Sequence, residues 1–213
     1  MTSVNHLVRQ AAAFALLALA SSAAFSSTPA ESVSAVPPGY TLARTGSVHD
    51  FDYFMGSGWT TRQHRIKTAA DGSQTTDDFT GYLCALPYLN GTATVDELYF
   101  PSKKSSGLTL RLFNPKTRQW SIYWVSSTNG VLDPNPVVGG FKGNLGLFFG
   151  TDRDAKGRPI KVRFIWKVID HDHAQWQQAI SYDNHTWATN WTADFERTER
   201  SKVCTPAGLP RHL

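Results

Sequence analysis

The chain has 213 residues, of which 41% are hydrophobic and 18% charged, and this composition is typical of one globular domain with a substantial core. Its 21 lysines and arginines and 17 aspartates and glutamates give a formal charge of +4 at pH 7. The basic residues are dispersed and form no stripe with interleaved aromatics, so the sequence argues against nucleic acid as a partner. The seven tryptophans are the unusual feature of the composition.

The first 24 residues have the order of a secretory signal. Basic Arg9 precedes an apolar block at residues 11–20, and the small residues 21–24 follow as a cleavage signature. The block is too short to span a bilayer, which needs roughly 20 apolar residues, and no later segment is long enough. We therefore expect a cleaved signal peptide at 1–24 and a secreted or periplasmic protein that is not an integral membrane protein.

Residues 25–47 are rich in serine, proline and alanine. They show neither the hydrophobic period of an amphipathic helix nor the alternation of a strand. Such a segment cannot bury enough apolar surface to offset the entropy of ordering it, so it is predicted to be a flexible linker. The folded domain is predicted at 48–200, with a C-terminal tail at 201–213.

From Trp59 onward, strand-like runs follow one another at short spacing, separated by Gly, Asn, Asp or Pro clusters that close hairpins. No stretch between them keeps a helical period for three turns, so no helix is predicted. Closure removes the exposed edges of such a meander, which predicts an all-β fold, a single antiparallel up-and-down barrel of about ten strands. The predicted strands are 59–68, 74–86, 92–100, 108–114, 119–126, 137–142, 145–151, 160–169, 174–182 and 186–197.

Alternation of apolar and polar residues predicts which side chains face the interior. Along Ile160–Val168 every second residue is apolar, and lysines and Arg163 lie between them. Arg111 and Tyr123 fall among the polar alternates and are predicted to face water. The same rule predicts these inward residues in other strands: Leu108, Leu110, Leu112, Trp120, Ile122, Trp124, Trp176, Gln178, Ile180, Trp187, Trp191 and Phe195.

The two cysteines, Cys84 and Cys204, lie far apart in the sequence. In an oxidising compartment an even pair is more often a disulfide than a metal or catalytic site. A disulfide would tie the C-terminal tail to an early strand, and two unpaired thiols are the alternative.

Four segments carry a longer pattern, namely His49–Trp59, Leu110–Trp124, Gly157–Trp166 and Thr186–Trp191. They resemble a bacterial calycin-like domain family of unknown function, related in architecture to the lipocalins, fatty-acid-binding proteins and nitrobindins. The resemblance covers about 48–197 and implies a lipocalin-like barrel, but no activity. It also implies that Trp59, which follows Gly56-Ser-Gly58, closes one end of the barrel with Arg197 packed over its indole.

The inward aromatic residues predict where a ligand would bind. A barrel of this kind either holds one small molecule or is filled by its own side chains, and both remain open. The leading hypothesis is an exported protein that binds a small apolar or amphipathic molecule, without a cofactor. The aromatic candidates are Trp120, Trp124, Trp166, Trp176, Trp187 and Trp191. The polar candidates are Tyr123, Arg111, Arg163, Glu97, Gln178 and Asn190, and all but Gln178 must turn inward or lie at the mouth to take part.

Two alternatives assign other roles. An isomerase, cyclase or hydrolase would use Arg111, Arg163, Tyr123 and Glu97 as a polar cluster at the mouth of the barrel, although no catalytic residue is assigned. A surface interaction module, as a homodimer, is the other possibility.

The histidines suggest two further sites, of which the metal site is not adopted and a haem-binding nitrobindin-like protein is kept as an alternative. His171 and His173 have a spacing that could bind a metal, but they fall where a hairpin turn belongs, and a polar turn without metal is predicted. A nitrobindin-like protein would hold haem through one histidine, and the two histidines considered for that role, His64 and His185, match no haem motif.

Overall fold

The computed structural model describes residues 41–69 and 71–212. The predicted signal peptide at 1–24 and most of the predicted linker at 25–47 lie outside these residues. In the part that is described, ten strands form one closed antiparallel barrel, as predicted. The strands are β1 (Gly58–Thr68), β2 (Gln74–Tyr88), β3 (Ala93–Phe100), β4 (Ser105–Asn114), β5 (Gln119–Ser126), β6 (Val137–Lys142), β7 (Leu145–Arg153), β8 (Pro159–Val168), β9 (His173–Ser181) and β10 (Ala188–Thr198).

Each strand pairs with the next one along the chain, and β1 pairs with β10 to close the ring. The turns lie where Gly, Asn, Asp and Pro clusters predict them. At the β2–β3 turn, Asn90 and Gly91 both have positive φ, 54° and 86°, which these two residue types adopt at low cost. No helix among residues 41–69 and 71–212 is long and apolar enough to cross a membrane.

One end of the barrel is closed by aromatic side chains and the other is open. The chain enters through a 3₁₀ turn, Asp52–Phe54, directly before β1. Phe51, Phe54 and Trp59 are almost fully buried there, and we call these three residues the aromatic plug. Up-and-down pairing then places the β5–β6 loop and the end of β7 at the opposite end, the mouth of the barrel.

The predicted face assignment holds for β8, where Ile160, Val162 and Trp166 belong to the core. Strand β4 has the opposite orientation to the prediction. Thr109 and Arg111 point into the barrel, where Asp96 of β3 neutralises the guanidinium and so makes a buried charge tolerable. The corrected outward residues of β4 are Leu108, Leu110 and Leu112, of which Leu108 is 38% exposed.

The C-terminal tail packs on the outside of β2. A single helical turn, Arg200–Val203 (α1), follows β10, and it was not predicted because one turn leaves no measurable period. Cys204 after it forms the predicted disulfide with Cys84, and both sulfurs are buried beside Val203. The bond is compatible with an extracellular or periplasmic protein.

Replacing both cysteines with alanine will lower the free energy of unfolding. The link joins residues 120 positions apart, and loss of such a constraint on the unfolded chain costs about 4–5 kcal/mol by loop entropy. Urea unfolding followed by tryptophan fluorescence measures the change. The single variant Cys84→Ala breaks the same bond and should lose a similar amount, whereas an unchanged midpoint in either variant would show that the link contributes little.

Candidate functional site

A cavity of about 200 Å³ lies inside the barrel between the aromatic plug and the mouth. Its wall is mainly aromatic, and polar groups occur at two levels. Gln63, Asp96, Thr109, Arg111 and Gln178 lie within the barrel. Asp133, Asn135, Thr151 and Asp152 line the mouth. The aromatic wall consists of Trp124, Phe164, Trp166, Trp176, Trp191 and Phe195.

Trp176 is the centre of this aromatic wall. Its ring centroid lies 5.0 Å from that of Phe164 and 5.6 Å from that of Trp191, both in edge-to-face contact. Such contacts add to area burial and fix ring orientation. The indole N–H of Trp191 donates to Gln63 Oε1 at 2.8 Å, and Gln63 Nε2 donates to Thr61 Oγ1 at 2.9 Å. The rings are therefore held in place independently of any bound molecule.

A buried ion pair marks the deep end of the cavity, next to the plug. Arg111 Nη1 donates to a carboxylate oxygen of Asp96, and the two side chains are 2% and 1% exposed. The guanidinium carbon lies 4.7 Å from the ring centroid of Phe51 and 5.4 Å from that of Phe54, so the cation rests on the plug. Arg111 Nε–H and the indole N–H of Trp166 have no hydrogen-bond acceptor among the described residues.

Tyr53 lies near this ion pair. Burial raises the pKa of the Tyr53 phenol far above its ordinary value, although the positive charge of Arg111 opposes the shift. Its hydroxyl also lacks a partner among the described residues. The deep end therefore contains hydrogen-bond donors in excess of the acceptors around them.

Trp59 is the plug residue farthest from the cavity, and Arg197 packs over its indole, as the family resemblance implies. The Arg197 guanidinium carbon lies 4.5 Å from the indole centroid of Trp59. Arg197 also donates to the carbonyl oxygens of Tyr53 at 2.7 Å and His171 at 2.9 Å and to the Ser57 hydroxyl. Trp59 is fully buried and is not among the cavity-lining residues, so its role is structural.

A cluster of charges lies at the mouth on the β1–β2 side. Arg65 lies 4.9 Å above the Trp191 ring, and Asp77 accepts from Arg65 at 3.2 Å, Lys67 at 2.7 Å and Lys103 at 2.5 Å. Hydrogen bonds from the two lysines hold the pKa of Asp77 well below its usual range. This carboxylate is therefore ionised at neutral pH and keeps Arg65 over the rim of the aromatic wall.

The structure brings together most, but not all, of the predicted aromatic residues. Trp124, Trp166, Trp176 and Trp191 line the cavity, as does Gln178. Trp120 points inward but lies beside the plug, where its indole N–H donates to the Ser47 carbonyl at 2.8 Å. It supports the closed end and does not line the cavity.

Trp187 lies on the outer face, contrary to the prediction. Its ring is 4.6 Å from the Arg163 guanidinium carbon and 6.2 Å from the Phe149 ring, and those two residues pair on the outer side of β7 and β8. The cause is a bulge in β10, where the register shifts between Thr189 and Trp191. The extra residue, Asn190, reverses the inward–outward alternation of the residues that precede it, so Trp187 faces outward. The Asn190 side chain accepts a hydrogen bond from Gln178 Nε2 at 3.1 Å.

The predicted polar cluster at the mouth does not form. Arg111, predicted to face water, is inside the barrel at the deep end. Arg163 stacks on Trp187 outside it. Glu97 and Tyr123 align with outward residues of β2 and β4 and do not line the cavity. The side chains required by the enzyme hypothesis therefore lie on both sides of the barrel wall.

The histidines considered as ligands lie outside the cavity. His64 Nδ1 lies 2.6 Å from a carboxylate oxygen of Asp78 on the outer face, and His185 lies in the β9–β10 loop. His171 and His173 pair with neighbouring aspartates in the β8–β9 turn. Within the described ranges, no histidine lines the cavity, and no group of three His, Cys, Asp or Glu side chains could hold a metal.

Asp96 is the most buried of the polar site residues that sequence reasoning missed. The other polar lining residues that it did not predict are Gln63, Thr109, Asp133, Asn135, Thr151 and Asp152. Asp96 interrupts the apolar residues of β3 as Arg111 interrupts those of β4. Opposite charges that interrupt the apolar residues of two adjacent strands, as Asp96 and Arg111 do, indicate an ion pair that faces the interior. Alternation alone does not indicate such a pair, because it treats every polar residue as outward.

No protein-family model matches the chain, and a search of curated proteins returned no significant match. The geometry of the cavity is therefore the basis for any functional assignment. An aromatic wall, a neutralised ion pair at the deep end and an open mouth together suit the binding of one small molecule.

Replacing Arg197 with methionine will destabilise the closed end of the barrel. The substitution keeps an unbranched side chain that can cover the Trp59 indole but leaves two backbone carbonyls without their charged donor, at an expected cost of about 2–3 kcal/mol. Arg197→Lys should recover only part of this, since an ammonium cannot reproduce the planar fork. Thermal and urea unfolding measure both. The matched control Arg62→Met, at an exposed position of β1, should change stability by no more than about 0.5 kcal/mol; equal losses at the two positions would contradict the assigned role.

Proposed function

We propose that this is an exported lipocalin-like protein that binds one small apolar or amphipathic molecule inside its barrel. The single observation that carries the proposal is the cavity of about 200 Å³ enclosed by the aromatic wall and open at the mouth. Cavities lined by aromatic and apolar side chains with a few placed polar groups are the usual form of small-molecule sites. The sequence resemblance to the calycin-like family supports the lipocalin-like barrel in this proposal, and the cavity alone supports the binding.

The volume limits the size of the ligand. An apolar cavity of roughly 150 Å³ holds a benzene molecule, whereas pockets for drug-sized ligands measure roughly 300–1,000 Å³. The volume here, about 200 Å³, therefore suits a compound of one or two rings. A long acyl chain or a haem macrocycle is much larger than this space.

The binding hypothesis is preferred to the enzyme hypothesis because of where the charged side chains lie. An isomerase, cyclase or hydrolase of the predicted kind needs its polar residues to converge on one reacting centre. Arg111 is within the barrel and Arg163 is outside it. No observation of the described residues favours the enzyme hypothesis over binding.

The disulfide supports export. Bonds of this kind persist mainly in oxidising compartments, and the Cys84–Cys204 bond fits a secreted or periplasmic protein. The predicted signal peptide at 1–24 agrees with this location. A ligand would therefore be met outside the cytoplasm.

The outer face of β3–β5 gives some support to a homodimer. Val95, Leu110 and Tyr123 form one cross-strand row on this face, and Leu108 and Val125 lie in the next row beside Glu97. Apolar side chains adjoining on an outer surface are a common feature of protein interfaces. This arrangement follows from the orientation of β4, which turns its leucines outward.

Filling the cavity will weaken binding without unfolding the barrel. Ala193 is 2% exposed and lines the cavity, so Ala193→Phe should place a ring in the space that a ligand would use. Intrinsic tryptophan quenching and native mass spectrometry with a panel of one- and two-ring compounds measure the effect; we expect at least a tenfold weaker affinity for every compound that binds the wild type.

The matched control for that experiment is Glu196→Phe, which adds the same ring to an exposed, outward position of β10. It should bind as the wild type does. If no compound in the panel binds or quenches the wild type, or if Ala193→Phe binds unchanged, the cavity is not the binding site.

Leu110→Glu will test the homodimer. If the outer rows form an interface, light scattering over a range of concentrations will show a dimeric mass for the wild type and a monomeric mass for the variant, because a charge is costly to bury unpaired. Thr192→Glu, on the outer face of β10 away from this patch, should leave the mass unchanged. A monomeric wild type at all concentrations contradicts the dimer.

A further inference from the structure

We propose that the cavity selects an uncharged, planar ring compound that carries a hydrogen-bond acceptor, with the acceptor placed at the Arg111–Asp96 end. This inference rests on the proposed binding function and names its ligand class. It is carried by the charge balance and the excess of donors at the deep end, and by the shape of the aromatic wall between that end and the mouth.

The charge balance argues against an anionic ligand. Arg111 and Asp96 both line the cavity and form a buried ion pair, so the guanidinium is already neutralised when no ligand is present. A carboxylate placed beside this pair would add an uncompensated negative charge in a region of low dielectric, and such burial is costly. A cation would have to compete with Arg111 for Asp96. An uncharged ligand avoids both costs.

The excess of donors argues for an acceptor on the ligand. A guanidinium has five N–H groups, and one carboxylate cannot satisfy all of them. Arg111 Nε–H and Trp166 Nε1–H have no acceptor among the described residues, and the Arg111 guanidinium carbon lies 5.9 Å from the Trp166 ring centroid. Both residues line the cavity. Both N–H groups are themselves buried, so a ligand carbonyl or ring nitrogen reaches one of them only when that side chain shifts toward the cavity.

The walls argue for a flat ring. Phe164 and Trp191 contact Trp176 edge to face, so flat surfaces and ring edges make up the middle of the wall. A planar ring can pack against such surfaces with the offset and edge-to-face geometries that aromatic pairs prefer. The acceptor then lies deep, and the rest of the ring faces the mouth.

Three probes of nearly equal shape test the proposal: acetophenone, α-methylstyrene and benzoate. Acetophenone has a carbonyl acceptor, α-methylstyrene replaces it with an isosteric methylene group, and benzoate carries a full negative charge. Calorimetric titration of the wild type should rank acetophenone about tenfold tighter than each of the others, the factor expected for one hydrogen bond from a charged donor.

Two variants locate the effect. Asp96→Asn leaves the Arg111 charge without its counter-ion, so benzoate should become the preferred probe and should raise the thermal midpoint. The double variant Arg111→Met and Asp96→Leu replaces the ion pair with apolar side chains, a change that proteins often tolerate, and it should prefer α-methylstyrene. Arg163→Met, on the outer face, should keep the wild-type ranking.

The outcomes separate this inference from the function on which it rests. A wild type that prefers benzoate, or that binds α-methylstyrene as tightly as acetophenone, overturns the proposed ligand class while the cavity remains a binding site. A double variant that keeps the acetophenone preference overturns the role of the ion pair. Failure of all three probes, together with unchanged fluorescence in the wider panel, overturns the binding function itself.

Discussion

The width of a ten-strand ring is the constraint on which the rest of this structure depends. A barrel of roughly eight strands is just wide enough for its own side chains to fill, so two more strands leave space that must be filled or left open. Here the chain fills one end with residues that precede the first strand, because Phe51 and Phe54 enter the barrel from outside the sheet. The cavity is what remains between this plug and the mouth.

The plug and the ion pair depend on each other. Arg111 rests on the faces of Phe51 and Phe54, and Asp96 holds its guanidinium there. Burying two charges carries a large desolvation cost, which hydrogen bonding and ring contacts offset only in part. The pair thus adds little to stability that apolar side chains would not supply, and its clearer effect is to give the deep end of an aromatic cavity a polar surface without net charge.

Sequence reasoning predicted the ten strands because turn chemistry is local: Asn90 and Gly91, for instance, are residue types that adopt positive φ at low cost, and both do so here. It predicted most inward aromatics because alternation is also local. It was wrong where a distant contact or an irregularity decided the face. Arg111 turns inward because Asp96 neutralises it across the sheet, and Trp187 turns outward because the bulge at Asn190 shifts the phase of β10. The volume of the cavity was beyond prediction, since it depends on how the plug packs against the ring.

The polarity of the cavity differs along its axis, and under the proposed function this difference would give a bound molecule a direction. Midway along the wall the indole N–H of Trp191 is already used by Gln63, so that ring contributes mainly its apolar surface. At the deep end the donors of Arg111 and Trp166 exceed their acceptors. At the mouth Arg65 covers Trp191 but is bound by Asp77, as are two lysines. Because a buried donor gains most from an acceptor that water cannot replace, a molecule bound as proposed would make its strongest directional interaction farthest from solvent. Its apolar part would then contact the aromatic wall.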